Sequence, residues 1–283
     1  MEIISIIIIN YNTFETTCNC LDSFYAYEPK VAYEIILVDN ASTECNPDLF
    51  KEKYPSITLV KSPSNLGFAG GNNLGLNYAT GSFILLLNSD TIFIEDCITP
   101  CVDFMNLNPK VGVVNPKLLN PDLSFQKNAR RFKSITRELF DFFRPIIKFS
   151  PYSFYSKYLL NQYFKGDYNV SCDWLSGAFF LTKREVINKF KDKKLDDRFF
   201  MYGEDTLWCF LIKQFGFSCY FLTNPKIIHI GSVSTNKEKT MKLTKIIISR
   251  ELEIYSLRTN NGILVNVFQS ILIFKSFIYN NLK

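Results

Sequence analysis

Two apolar runs in this sequence stop on a carboxylate. EIILVDNAST carries Asp39 and FILLLNSDT carries Asp90. An Asp beside a nucleobase can accept the imide N–H of uracil or thymine. An Asp near a diphosphate can hold a hard cation through oxygen, and such a cation lowers the cost of charge developing on a leaving diphosphate. A plain turn is the competing reading, since Asn, Ser and Asp are all turn formers. A third acidic pair, Glu204 and Asp205, lies in FFMYGEDTLWC. It suits a general base that takes a hydroxyl proton, and equally a helix start, where the dipole favours carboxylates. The only histidine, His229 in KIIHIGSVST, is either a satisfied structural residue or a partner for carboxylates around a divalent cation. NLGFAGGNNLG places Gly67, Gly70, Gly71 and Gly75 where backbone can approach a ligand closely. The spacing is not G-x-G-x-x-G, and a helix packed on a sheet through its glycines fits as well.

These groups need elements to position them. Ile3–Ile9, Glu34–Asp39, Ile57–Val60 and Phe83–Leu87 read as strands, with helices at Thr13–Tyr27 and Phe68–Ala79. Short continuous apolar runs fit strands buried on both faces, and strand–helix alternation predicts a parallel sheet. In such sheets ligands bind at the carboxyl ends of the strands, where Asp39 and Asp90 fall. The second half is mixed: a strand over Trp174–Leu181, helices over Lys183–Phe190 and Gly203–Phe215, and a strand over Phe217–Leu222.

The chain has 283 residues, 47% hydrophobic and 21% charged, which excludes a disordered chain. Eight cysteines without a Cys-x-x-Cys pair, and one histidine, argue against a structural zinc site. The start, MEIISIIIIN, lacks the features of a signal peptide and reads as a first strand. The cysteines are expected to be reduced, in the cytoplasm. The net charge of +5 is uneven: Lys127–Lys165 holds nine Lys/Arg against Glu138 and Asp141, with eleven Phe/Tyr. That composition points to an anionic membrane surface, or to a solvated insertion whose aromatics pack on the main domain. No nucleic-acid motif is present. The apolar tail Ile263–Ile278 is 16 residues long, short for a span of about 20. It reads either as an amphipathic helix lying on a bilayer, with Lys275 snorkelling from its apolar side, or as a helix packed on the protein body.

The pieces IIIINYN, VDNAST, NLGFAGGNNLG, LLLNSDT, WLSGAFFLTKRE, DDRFFMYGED and HIGSVS follow in order over roughly residues 3 to 235. Together they resemble the inverting family-2 glycosyltransferases, especially their rhamnosyltransferase-like branch. The resemblance implies an α/β GT-A fold with a central, mostly parallel sheet flanked by helices. It also implies a metal-dependent enzyme. Asp39 would read the pyrimidine, with Tyr11 against it. Asn12 and Gly70, Gly71, Asn72 and Asn73 would border the donor. Asn88, Ser89 and Asp90 match the Asp-x-Asp element, with Asn88 in the first acid's place. Asp90 and His229 would hold Mg or Mn on the diphosphate. Asp205 would be the base, with Glu204 beside it, and Trp174 and Gly177 would border sugar and acceptor. Leu207 stands where relatives often carry another acid.

The expected domains are a transferase domain over residues 1–235 and a helical tail over 236–283. The first comprises a nucleotide-sugar half (1–120), a basic-aromatic insertion (121–170) and an acceptor half (171–235). The expected function is sugar transfer from a UDP- or dTDP-sugar to an acceptor hydroxyl, on a saccharide or lipid-linked saccharide. The place is the inner face of the cell membrane. A sugar nucleotidyltransferase and a non-catalytic sugar-nucleotide-binding or membrane scaffold protein are the rivals.

Overall fold

The computed structural model describes residues 2–147, 149–160, 163–231 and 237–281. The end of HIGSVS and the boundary expected at residue 235 lie outside the described residues. The strands are β1 (Ile3–Asn10), β2 (Ala32–Asp39), β3 (Thr58–Lys61), β4 (Phe83–Asn88), β5 (Thr91–Phe93), β6 (Val111–Leu119), β7 (Ala129–Arg130), β8 (Val170–Cys172), β9 (Trp174–Leu175), β10 (Phe179–Lys183) and β11 (Ser218–His229). The helices are α1 (Phe14–Ala26), α2 (Asp48–Lys53), α3 (Gly67–Leu76), α4 (Ile98–Leu107), α5 (Ile135–Phe142), α6 (Arg144–Ile147), α7 (Tyr152–Leu159), α8 (Arg184–Ile187), α9 (Glu204–Gln214), α10 (Lys237–Thr259) and α11 (Gly262–Asn281). They form two compact units, residues 1–130 with 165–231, and residues 131–164 with 232–283.

The first unit is built on one sheet of order β3-β2-β1-β4-β10-β6-β11-β5, with β8 against β11. Strands β1, β2, β3 and β4 are parallel. Strand β10 runs against both β4 and β6, so β6 and its parallel partner β11 point the same way as β4. The isoleucines of β1 show why this sheet is buried on both faces. Ile4, Ile6 and Ile8 enter a core shared with Phe24 of α1, Phe50 of α2 and Met105 of α4. Ile7 and Ile9 meet α3 on the other face.

The run Trp174–Leu181, expected as one strand, breaks at residues 176–178 into β9 and β10. A continuous apolar run does not reveal such a corner. Strand β11 runs on past Leu222 to His229. Its pairing with β6 shifts between Phe221 and Lys226, which accommodates Pro225, a residue with no N–H to donate.

In the helical unit, Ser134 caps α5 by accepting from the Arg137 N–H. Helix α11 packs through Phe268 and Leu272 against Tyr255 of α10, with the Tyr255 and Phe268 rings stacked at 4.1 Å. Lys275 does not snorkel: its ammonium pairs with Glu138 and Asp141 of α5. The insertion supplies two carboxylates, so the lysine is met within the helical unit. No helix among the described residues is long and apolar enough to cross a membrane.

The glycines of α3 let it lie close on the sheet. A Cβ on Gly75 would stand 2.5 Å from Ile7 Cγ2 and 3.2 Å from Val38 Cγ2. Gly75→Val should therefore destabilise the first unit by about 1–3 kcal/mol through overpacking. Gly262→Ala, in open space, should change stability by only a few tenths of a kcal/mol. Thermal unfolding of both variants checks this.

Candidate active site

Parallel pairing aligns the carboxyl ends of β1, β2 and β4, with Asn10 opposite Asp39 and Ile9 opposite Asn88. Asp39 is 3% exposed. Its Oδ1 accepts from Asn10 Nδ2 at 2.9 Å and its Oδ2 from the Ser42 N–H at 3.1 Å. Each oxygen keeps acceptor capacity beyond these bonds. Asn10 also donates to Ser42 Oγ and accepts from Thr13 and Thr17. Asn12 joins the same loops, its side chain accepting the Thr43 N–H at 2.7 Å. Asn12 and Ala41 both take left-handed backbone, φ 53° and 63°, a strain that persists only where the surroundings impose it. Tyr11 stands exposed beside this network.

The second feature is the corner after β4. Strand β11 pairs with β5 so that His229 lies opposite Thr91. His229 Nε2 is 3.2 Å from Asp90 Oδ1 and 3.3 Å from Asn88 Nδ2. Its Nδ1 is 2.6 Å from Gln126 Oε1. Burial pushes the Asp90 carboxyl up, but the hydrogen bond and charge of His229, with backbone N–H groups, outweigh it and hold the group below its ordinary value. Ser89 Oγ lies 3.5 Å from Thr13 Oγ1, which ties the corner to the first loop. Among the described residues no group of three or more His, Cys, Asp or Glu converges as a metal cage; Asp90 and His229 meet as a pair.

The third feature is the start of α9. Asp205 Oδ2 accepts the Gly177 N–H at 3.0 Å and Oδ1 the Thr206 N–H at 2.7 Å. The Asn88 N–H donates to Ala178 O at 2.9 Å, so the peptide beside Asp205 is joined to the end of β4. Burial pushes the Asp205 carboxyl above its ordinary value, offset in part by those N–H groups and by the charge of Arg130. Glu204 is buried. Trp174 of β9 lies opposite Arg130 of β7, whose guanidinium sits 5.2 Å over the indole ring.

The glycine-rich helix separates into two roles. Gly71 faces Ile9 and Asn40 closely. Asn73 is clamped to Leu195, donating to its carbonyl and accepting its N–H, both at 2.9 Å. Asn72 donates to Phe68 O. A Cβ on Gly70 would meet only Leu66. Both ends of the Asn73 amide are thus committed to the protein. Asn10, Ser42, Gln126 and Arg130 join the site without having been singled out by the sequence. Asn10 alone had a signal, because it ends an apolar strand as Asn88 does.

Carboxyl titration followed by carbon-13 NMR should place Asp205 above, and Asp90 below, the ordinary Asp value of about 3.9. The linkage signs are opposite. The raised Asp205 stabilises the fold below its unfolded pKa, and loses that contribution as pH rises through its folded value. The lowered Asp90 stabilises above its unfolded pKa and loses that contribution as pH falls through its folded value. An Asp205 that titrates at or below the ordinary value contradicts this electrostatic account.

Residues 5–188 match the family described as Glycosyl transferase family 2. The N-acetylglucosaminyl-diphospho-decaprenol L-rhamnosyltransferase of Mycobacterium tuberculosis is 23% identical over 221 residues, 74% of this chain and 70% of that protein. The UDP-Glc:alpha-D-GlcNAc-diphosphoundecaprenol beta-1,3-glucosyltransferase WfaP of Escherichia coli is 34% identical over 106 residues, 37% of this chain and 42% of the relative. Among solved structures, the mannosyltransferase PcManGT of Pyrobaculum calidifontis, in complex with GDP-Man and Mn2+, matches with a TM-score of 0.58 at 17% identity. That match covers 97% of this chain and 69% of the other. TarS of S. aureus, in complex with UDP, matches with a TM-score of 0.54 at 18% identity, covering 88% and 65%. The sheet order, strand directions and flanking helices are those of the GT-A fold. The chain belongs to glycosyl transferase family 2.

Proposed function

We propose that this protein transfers a sugar from a UDP- or dTDP-sugar to the hydroxyl of a lipid-linked saccharide, with inversion at the anomeric carbon. The carrying observation is the convergence of three groups on one rim: Asp39, the Asp90–His229 corner, and Asp205 joined to the end of β4 through Gly177 and Ala178. Asp39 offers acceptors, so it suits a ring that presents an N–H, as uracil and thymine do and cytosine does not. Tyr11 lies against that ring, while Asn12 and the Gly70–Asn73 stretch border the donor. Asn88 and Ser89 face the diphosphate, and Trp174 and Gly177 border the sugar and acceptor.

Asp205 acts as the base. Each of its oxygens accepts one backbone N–H, which fixes the carboxylate plane and leaves a lone pair for the acceptor hydroxyl. Its raised proton affinity brings it nearer the working pH. The hydroxyl proton passes to Asp205 as the new C–O bond forms, and the bond to the diphosphate breaks with its electron pair leaving on the phosphate oxygen. Glu204 supports the helix start or touches the acceptor.

Mg or Mn fits the corner. One carboxylate oxygen and one imidazole nitrogen stand 3.2 Å apart, the separation that adjacent ligands at about 2.1 Å from a common cation would show. Asp90 and His229 would hold the cation, which when bound would neutralise charge developing on the leaving diphosphate.

The exposed aromatics and basic groove of the helical unit support a membrane-surface location, which we place at the inner face. Phe149 is 91% exposed, and Phe140, Phe143, Phe154 and Tyr158 are exposed as well. Arg131, Arg137 and Lys157 line a groove of about 490 Å³ with Phe154 and Tyr158. Attraction to anionic lipid is worth about 1 kcal/mol per basic residue at best and is screened by salt. Flotation should succeed with anionic vesicles at low salt and fail at high salt. Equal binding to neutral vesicles would rule out the electrostatic part.

Asp205→Asn should bind UDP with Mn2+ normally but lose transfer by at least about a hundredfold. Its amide cannot accept from both N–H groups, so about 1–3 kcal/mol of stability should go with it. Glu204→Gln should lose less transfer. Rates and nucleotide affinities of both variants decide: an active Asp205→Asn beside a dead Glu204→Gln reverses the roles. Product analysis separates the nucleotidyltransferase rival, which releases pyrophosphate rather than a free nucleoside diphosphate.

A further inference from the structure

His229 is held by more than its neighbours on β4. After β6 the chain turns back, so that the Gln126 N–H donates to Leu118 O at 2.9 Å. Strand β11 pairs with β6 at Ile227–Leu118 and Ile228–Leu119. Gln126 therefore lies beside the end of β11. Its Oε1 stands 2.6 Å from His229 Nδ1. Its Nε2 donates to His229 O at 3.1 Å and to Asn120 Oδ1 at 3.0 Å.

The orientation of each group in this chain follows from a carboxylate at its far end. Ionised Asp122 can only accept, so Ser124 Oγ donates to it at 2.6 Å. Ser124 Oγ then accepts from Asn120 Nδ2 at 2.8 Å, and Asn120 turns its oxygen to Gln126. Gln126 must answer with its nitrogen, which directs its oxygen at His229. An acceptor at Nδ1 requires a proton there, so in the neutral ring Nε2 carries the lone pair. On the other side Asn88 Nδ2 faces Nε2 at 3.3 Å as a donor, while Asp90 Oδ1 at 3.2 Å is an acceptor that the lone pair meets favourably only with a cation between them.

We infer that Gln126 is a positioning residue that fixes the neutral His229 ring as its Nδ1–H tautomer, presenting the Nε2 lone pair to the cation corner with Asp90. The tautomer rests on the hydrogen-bond chain alone, whereas its use for a cation rests on the metal reading above. Free imidazole prefers the opposite tautomer, so without Gln126 the lone pair would turn away from Asp90 in most molecules. An amide lacking charge does this without adding a third carboxylate to the corner.

The chain has one histidine, so nitrogen-15 labelled histidine gives a single-site reading of the tautomer. At a pH where the ring is neutral, the wild-type protein should show Nδ1–H. Gln126→Leu should move the signal toward Nε2–H. Gln126→Glu keeps an acceptor and should keep Nδ1–H. In parallel, Mn2+ affinity in the presence of UDP, measured by the electron-spin signal of free Mn2+, should fall about 10- to 100-fold in Gln126→Leu and recover in Gln126→Glu. A wild-type ring in the Nε2–H form, or a tautomer unchanged in Gln126→Leu, overturns the assignment whatever the metal does. A shifted tautomer with unchanged Mn2+ affinity overturns the positioning role. Unchanged Mn2+ affinity in Asp90→Asn sinks the metal reading itself and leaves the tautomer result standing.

Discussion

The antiparallel pairing of β10 with β4 is the constraint on which the site depends. Strand β4 is apolar on both faces, with Ile84, Leu85 and Leu86 removed from water. Its end cannot move without disturbing the sheet centre. The Asn88 N–H closes the ladder on Ala178 O, and Gly177, one residue earlier, gives its N–H to Asp205. One backbone segment thus joins the corner of Asn88, Ser89 and Asp90 to the start of α9. Without the reversal at β10, parallel strands alone would gather Asn10, Asp39 and Asn88 and leave Asp205 without a neighbour.

Polarity at this rim is arranged by environment rather than by residue type. Asp90 and Asp205 are both aspartates beside buried apolar strands. Asp90 faces an imidazole and is held ionised; Asp205 faces two backbone N–H groups and a more distant guanidinium, and burial dominates. The same side chain is driven toward ionisation in one place and toward holding its proton in the other. Asp39 differs again, because Asn10 and the Ser42 N–H fix its two oxygens.

Much of this was legible in the chain because its strongest signals are local. Four or five consecutive apolar residues followed by Asn or Asp mark β1, β2 and β4, and the acids at their ends follow from strand direction. The glycines of α3 were legible as close approach, but what they approach is largely the sheet, through Ile7 and Ile9. Strand β11 was cut short in the reading because Pro225 interrupts its pattern, and only pairing with β6 shows how a register shift absorbs it. The corner between β9 and β10 was hidden inside an unbroken apolar run. Gln126, Ser42 and Arg130 gave no signal, since a polar residue in a loop acquires a role only from what long-range pairing sets beside it. For the helical tail the sequence leaves bilayer and protein body open, because Glu138 and Asp141, the partners of Lys275, lie more than a hundred residues away.

The central claim is that one rim holds donor, cation and base together. A crystal structure of the protein with UDP and Mn2+ tests it most directly. The account predicts anomalous Mn2+ density within ligand distance of Asp90 and His229 Nε2, the uracil N–H on Asp39, and the Asp205 carboxylate open toward the sugar-bearing side of the diphosphate. Mn2+ bound away from both Asp90 and His229, or a uracil that leaves Asp39 untouched, would contradict it.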